Sequence, residues 1–374
     1  MDQITAKKLY AEGGIFVFLE VPEGTEFGID MKSWNTGEKF RGVKMIPPGL
    51  HYIFYSAVSD TGDTSPRTGF FHNFKRSEVI VKKWDKKNEC ISSESVSEAE
   101  VVHFKDNILA LDNFLGPYPY DIWEKWVNLT SEITSDLVQK LTPCSGYIQS
   151  ALELESCSDA DRPRGKKGGE TQDCSSSKKA RLSGDAEEGF LPNLKAKQGT
   201  ELRFTPFPER NYPAGSTPAE ITRHSLDSSF LLDTMIANYS KSTELLGELE
   251  FCYVCFLVGH SLEAFEQWKK LFSLFCSCDT AVKKHRKLYD LFVSVIEIQV
   301  KEIPEEFLAD IVSNNNLVYT KLRNLFRAVR NSDVDGQLKA KLSRFQKNLT
   351  DLYQWDFEHL DSDEEDEAPV IVET

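Results

Sequence analysis

The 374-residue chain is long enough for two domains of ordinary size, and its 40% hydrophobic and 11% aromatic content can fill real cores. A formal net charge of -15 and a pI near 5.1 disfavour direct contact with nucleic-acid phosphates outside a local basic patch. No apolar stretch reaches the roughly 18 residues of a membrane-spanning helix, and the segment from Met1 to Lys8 lacks the apolar core of a signal peptide.

Residues 1 to about 90 read as β. Runs rich in β-branched and aromatic residues recur at Ile15–Val21, Phe40–Ile46, His51–Val58, Gly69–Phe74 and Glu78–Trp84. Between them lie turn-formers such as Pro22-Glu-Gly24, Pro47-Pro-Gly49 and Asp60-Thr-Gly62, a spacing that predicts a sandwich or a partly open barrel. Two helices are then expected. Glu98 to Leu115 ends at the stop signal Gly116-Pro117, and Tyr120 to Leu141 carries an apolar stripe through Trp123, Trp126 and Leu137.

Ser, Gly, Asp, Lys and Arg dominate the stretch that follows, and large apolar groups nearly vanish. Such a composition cannot offset chain entropy and predicts a disordered linker at 151–198. Within it, Lys166-Lys167 and Lys178-Lys179-Ala180-Arg181 form two basic clusters at the separation of a bipartite nuclear-import signal; a merely soluble linker is the other reading.

From Thr217 the pattern is helical. Thr217-Pro-Ala-Glu220 combines a capping Thr, Pro at the first helical position and a Glu that can reach back to the cap. Helices are expected at 217–239, 243–258, 261–277, 280–301, 304–313, 316–330 and 334–350, with broad apolar faces suited to a bundle. The architecture is therefore α+β: a β-rich domain with two flanking helices at 1–150, the linker, an all-helical domain at 199–358, and a flexible tail at 359–374. The tail joins an acidic run, Asp361 to Glu367, to Val370-Ile371-Val372, which has the chemistry of a β-strand seeking a sheet.

Catalytic signals are sparse. The seven histidines are scattered, and no phosphate loop, dinucleotide fingerprint or nucleophile elbow occurs. His224, Ser225 and Asp227 are close in sequence but poorly placed on one helix for catalysis. Cys252-x-x-Cys255 and Cys276-x-Cys278 have metal-like spacing, yet their apolar context predicts core packing. No cofactor and no metal are expected.

Several blocks carry a family resemblance. Gly24-Thr-Glu-Phe-Gly-Ile-Asp30, Trp34, Phe40-Arg-Gly-Val-Lys-Met-Ile-Pro-Pro-Gly-Leu-His51, Gly69-Phe-Phe71 and Leu115-Gly-Pro-Tyr-Pro-Tyr120 resemble the N-terminal domain of the Aar-two family of U5 small nuclear ribonucleoprotein assembly factors. Gly199-Thr-Glu-Leu-Arg-Phe204, Thr217 to His224, Leu246-Gly-Glu-Leu-Glu-Phe251, Glu263 to Lys269, Ile303 to Ile311, Trp355-Asp-Phe357 and Ala368 to Glu373 resemble its helical second domain and tail. The resemblance implies a non-catalytic splicing factor whose partner is the large U5 scaffold, pre-mRNA-processing factor eight. It implies a C-terminal strand, here Pro369, Val370, Ile371 and Val372, laid between the scaffold's RNase-H-like and Jab-one/MPN-like domains, with helicase and RNA kept away.

Other U5 components are expected as partners, with no direct nucleic-acid or membrane contact and no obligate homo-oligomer, and the protein is placed in cytoplasm and nucleus. Ser362, followed by Asp363-Glu-Glu365, is a phosphorylation candidate. Two other functional classes stand beside this one: an enzyme with a dispersed site, and a helical adaptor reading short peptides.

Overall fold

The computed structural model describes residues 2–59, 62–94, 96–156, 194–303 and 316–357. The first element departs from the β expectation. The Asp2 carboxylate accepts hydrogen bonds from the backbone N–H groups of Ile4 and Thr5, capping a helix, α1, at Gln3–Glu12. Only Leu9 of α1 is buried, so no strong apolar period announced it. Gly13 then lets the chain pass close to α1 and to a later strand: a Cβ there would lie 2.3 Å from the Leu9 carbonyl oxygen and 2.9 Å from Met45 Cα.

Two five-stranded sheets follow, one mixed and the other antiparallel throughout. The strands are β1 Gly14–Leu19, β2 Glu26–Ile29, β3 Lys32–Asn35, β4 Gly42–Ile46, β5 Gly49–Ser56, β6 Thr68–Phe74, β7 Val79–Asp85, β8 Cys90–Ile91, β9 Leu115–Pro117 and β10 Ile148–Gln149. One sheet runs β8-β7-β1-β4-β9 and the other β10-β6-β5-β2-β3. Phe16 and Phe18, two residues apart on β1, project together into the core and meet Phe27 at 5.8 and 5.9 Å between ring centroids. Tyr55, Phe70 and Trp84 complete this aromatic layer, so the sandwich form of the expectation holds.

Strands β2 and β3 carry no strong β pattern. β2 includes Gly28, where a Cβ would fall 2.1 Å from the Phe54 ring; the glycine is there for close packing and hides the strand signal. Gly116-Pro117, expected to stop a helix, instead lies in β9, parallel to β4 with Lys44 opposite Pro117.

The two expected flanking helices are broken into shorter ones. The first becomes α2, Glu98–Asp106, and α3, Ile108–Leu111, followed by a 3₁₀ turn; α2 opens on a Ser97–Glu100 capping box. The second becomes α4, Trp123–Leu129, and α5, Ser135–Leu141, because the Thr134 side chain accepts from Leu137 N–H and starts a new helix. The linker expectation also needs correction at its ends. Leu154–Ser156 (β11) and Leu194–Ala196 (β12) pair antiparallel, held by Lys195–Glu155 and Lys197–Glu153 ion pairs at 3.4 and 2.7 Å.

The C-terminal half is helical as expected, with the breaks set by side chains. α6 (Pro218–Leu226) begins at the Thr217–Glu220 capping box. It is separated from α7 (Ser229–Ile236) because Asp227 turns back to accept from Ser229. α8 (Glu244–Leu257) and α9 (Leu262–Cys276) match their expected spans closely. The expected 280–301 helix divides at His285, which meets Asp233, into α10 (Thr280–Lys284) and α11 (Arg286–Glu302). The last two described helices are α12 (Leu317–Asn331) and α13 (Gly336–Tyr353). The helix expected at 304–313 lies outside the described residues. Cys252, Cys255, Cys276 and Cys278 are all at most 1% exposed and sit in the helical core and its seam, as their apolar context predicted. No helix among the described residues is long and apolar enough to cross a membrane.

Candidate functional site

The residues singled out for partner binding (Pro369, Val370, Ile371 and Val372), the phosphorylation candidate Ser362, and the basic pairs at Lys166, Lys167, Lys178, Lys179 and Arg181 all lie outside the described residues. What the structure places are the blocks that carry the family resemblance. Several of those that lie within the described residues meet in two buried constellations and one seam.

The first constellation is polar and lies at the edge of the sandwich. Asp30 is fully buried; its Oδ1 accepts from the Tyr52 backbone N–H at 3.0 Å, and its Oδ2 accepts from the Tyr118 hydroxyl at 2.6 Å. The same Oδ2 is 2.7 Å from His51 Nδ1, while His51 Nε2 is 2.7 Å from the Pro47 carbonyl. Trp123 stacks on the imidazole at 5.3 Å, sealing it from water. Burial pushes the Tyr118 phenol far up, with the Asp30 charge adding to it, so the hydroxyl remains a donor. Every ring nitrogen and carboxylate oxygen here has a partner in the protein. The group therefore ties β2, β5 and the Pro117–Tyr120 turn together.

The second constellation is built on α8. Glu248 accepts from Thr205 N–H at 3.0 Å, from Gln267 Nε2 at 3.2 Å and from the Tyr239 hydroxyl. Glu250, two residues further along the helix, accepts from Glu132 N–H at 2.7 Å and from the Ser131 hydroxyl at 2.9 Å. Burial pushes the Glu250 carboxyl up to about 8, against the opposing pull of its hydrogen bonds from Glu132 and Ser131. Between these glutamates and the β half, Gly247 packs so tightly that a Cβ would lie 2.4 Å from the Glu132 carbonyl oxygen.

These contacts belong to the seam joining the two halves. Tyr52 and Phe54 of β5, Trp126, Leu137 and Leu141 of α4 and α5, and Phe251, Val254 and Cys255 of α8 form one apolar cluster. Phe71 stacks on Phe251 at 5.1 Å. Arg67 lies 4.6 Å over the Phe54 ring, donates to Glu26 and, from Nη1, to the Val258 carbonyl at 2.8 Å. Arg203 donates to the Thr142 carbonyl at 2.7 Å and to that of Gln139, closing the end of α5. The β-rich and helical halves are thus joined by a continuous core.

Asp227 is engaged with other partners than the nearby His224 and Ser225. It accepts from Ser229, from Asp279 N–H at 3.0 Å and from the Thr280 hydroxyl at 2.8 Å, capping two helices at once. Among the described residues, no three His, Cys, Asp or Glu side chains converge in a way that could hold a metal ion.

An open cleft of about 740 Å³ lies between α6, α9 and α12. Its apolar floor includes Phe207, Leu231 and Leu274, and Leu226 stands at its mouth 78% exposed. Lys269, Lys270, Lys321 and Arg327 line it against two carboxylates, Glu266 and Asp279. The sequence reading missed this site. Lys269-Lys270 and the cations of α12 are ordinary solvated charges until α9 and α12 pack side by side.

The comparisons agree with this map. The AAR2 N-terminal domain model matches residues 12–143 and the AAR2 C-terminal repeat region model matches residues 204–358. The chain is 40% identical to the human Protein AAR2 homolog over 377 residues, covering 100% of this chain and 97% of the relative. The mouse homolog gives the same identity and coverage, and the Caenorhabditis elegans homolog is 36% identical over 355 residues, 93% of this chain and 96% of the relative. Full-length identity at this level and two matching family domains assign the chain to the AAR2 family.

Proposed function

We propose that this chain is a non-catalytic assembly chaperone of the U5 small nuclear ribonucleoprotein, acting in spliceosome assembly and pre-mRNA splicing. Its AAR2 membership across both halves is the observation that carries this reading. The partner is the large U5 scaffold, pre-mRNA-processing factor eight. The segment Pro369 to Val372 adds as a strand between its RNase-H-like and Jab-one/MPN-like domains, which keeps helicase and RNA off until release. Strand addition suits a temporary hold: backbone hydrogen bonds supply affinity, alternate side chains supply register, and ordering the segment costs about 2–5 kcal/mol. The fused β and helical halves support this by giving the tail one rigid anchor. Phosphorylation at Ser362 would add charge beside the acidic run, and the basic pairs from Lys166 to Arg181 would serve nuclear entry from the cytoplasm.

Co-purification of the tagged protein tests the reading. The scaffold and other U5 components should be recovered; their absence under low-salt conditions would overturn it. The cleft between α6, α9 and α12 favours, as a second reading, an adaptor for short acidic peptides, for which recovery of unrelated acidic-tailed proteins in place of U5 components is the mark.

A further inference from the structure

We infer that the cleft between α6, α9 and α12 is the intramolecular parking site of the chain's own acidic C-terminal segment, residues 361–372. Three observations carry this. The first is charge. In a chain of formal net charge -15, the cleft presents four cations to two carboxylates, and Lys270, Lys321 and Arg327 make no ion pair with any described residue. The segment from Asp361 to Glu367 carries six carboxylates in seven residues. Opposite fields at close range attract most strongly where the site is partly enclosed.

The second is reach. Phe357, the last described residue, is anchored on α12: its ring lies 5.0 Å from Phe326 and 5.3 Å from Tyr319. Lys321 and Arg327 lie on the same helix, on the side that lines the cleft. Asp361 is four residues past Phe357, a span of up to about 14 Å when extended, and a helix with its side chains is about 10–12 Å across. Half the circumference of such a helix is about 17 Å, so the run from Asp361 to Glu367, which ends ten residues past Phe357, is long enough to reach the far face of α12.

The third is chemistry in register. Beyond the acidic run come Val370-Ile371-Val372, and the cleft offers an apolar floor with Leu226 left in water at its mouth. A tethered segment acts at an effective concentration of about millimolar, so modest contacts suffice to hold it. On the reading that this segment is the clamp for the scaffold, parking it covers the strand until a sheet edge competes for it.

Carbodiimide crosslinking of the purified full chain, which joins lysine amines to carboxylates in direct contact, tests the inference. Mass spectrometry of the monomer fraction at low salt should find Lys270 or Lys321 joined to carboxylates between Asp361 and Glu367. The yield should fall about fivefold or more at 0.5 M salt, where screening is nearly complete. The variant Arg327→Glu, which reverses a charge of the cleft and leaves both amines in place, should lower the yield at Lys270 and Lys321 about fivefold with an unchanged thermal midpoint, while Lys339→Glu, outside the cleft, should keep it. Tail carboxylates joined equally to lysines elsewhere, joined only between two copies, or not joined at all would overturn it. Scaffold capture by a chain lacking 368–374 separates the two ideas. Crosslinks absent with capture lost would remove the parking site and leave the clamp; crosslinks present with capture unchanged would do the reverse.

Discussion

Oε2 of Glu250 lies 2.7 Å from the backbone nitrogen of Glu132, so a carboxylate on α8 closes the turn between α4 and α5 and fastens the helical half to the β half. Its folded pKa of about 8 stands above the 4.5 of a free glutamate, so the folded state holds the proton more tightly. Between those values stability falls as pH rises, by up to about 5 kcal/mol from this group. Urea unfolding from pH 5 to pH 8.5 should show that decline, and Glu250→Gln should flatten it while keeping an acceptor for Glu132 N–H. A Gln variant with the wild-type pH profile would remove Glu250 as its source.

Gly247→Ala tests how tightly the seam is packed. The added methyl would meet the Glu132 carbonyl oxygen at 2.4 Å and Leu137 Cδ2 at 2.6 Å, and backbone cannot give way cheaply. A loss of about 1–3 kcal/mol is expected, despite the better helix propensity of Ala. A stabilised variant in thermal unfolding would show that α8 and the α4–α5 turn are looser than drawn.

Tyr118→Phe removes the hydroxyl that donates to the buried Asp30 Oδ2. A hydrogen bond to a buried carboxylate contributes about 1.5–3 kcal/mol, and the ring itself stays in place. The variant should unfold at lower denaturant with an unchanged slope, the sign of lost stability without lost compactness.

Arg67→Lys should not substitute for Arg67. The guanidinium spans Glu26, the Val258 carbonyl and the Phe54 face together, a planar set of contacts an ammonium cannot reproduce. A loss of about 1–3 kcal/mol is expected, with faster hydrogen exchange at β6 and the end of α8.

Deleting residues 368–374 should weaken scaffold binding by at least about tenfold in a calorimetric titration, since each 1.4 kcal/mol of lost strand contact is a factor of ten. Unchanged affinity would place the hold elsewhere on the protein.

The order of elements was legible because it rests on local rules. The Thr217–Glu220 capping box, the apolar runs of β1, β5, β6 and β7, and the apolar second half of α8 with its buried cysteines each announce themselves within a few residues. The elements that escaped are those whose cause is distant. β2 exists because Gly28 makes room for Phe54, and α6 parts from α7 because Asp227 also caps α10. α1, with a single buried side chain, had no period to display.

The sequence alone decided the α+β class, the burial of the cysteines and the family blocks, because propensity, periodicity and composition act over neighbouring residues. Only the tertiary structure decided that those blocks are largely internal fastenings: Asp30 with His51 and Tyr118, Glu250 with the α4–α5 turn, Phe71 on Phe251. It alone also brought the cations of α9 and α12 to one cleft. Those pairs are tens to more than a hundred residues apart along the chain, and no local pattern specifies which of two distant groups will share a buried space.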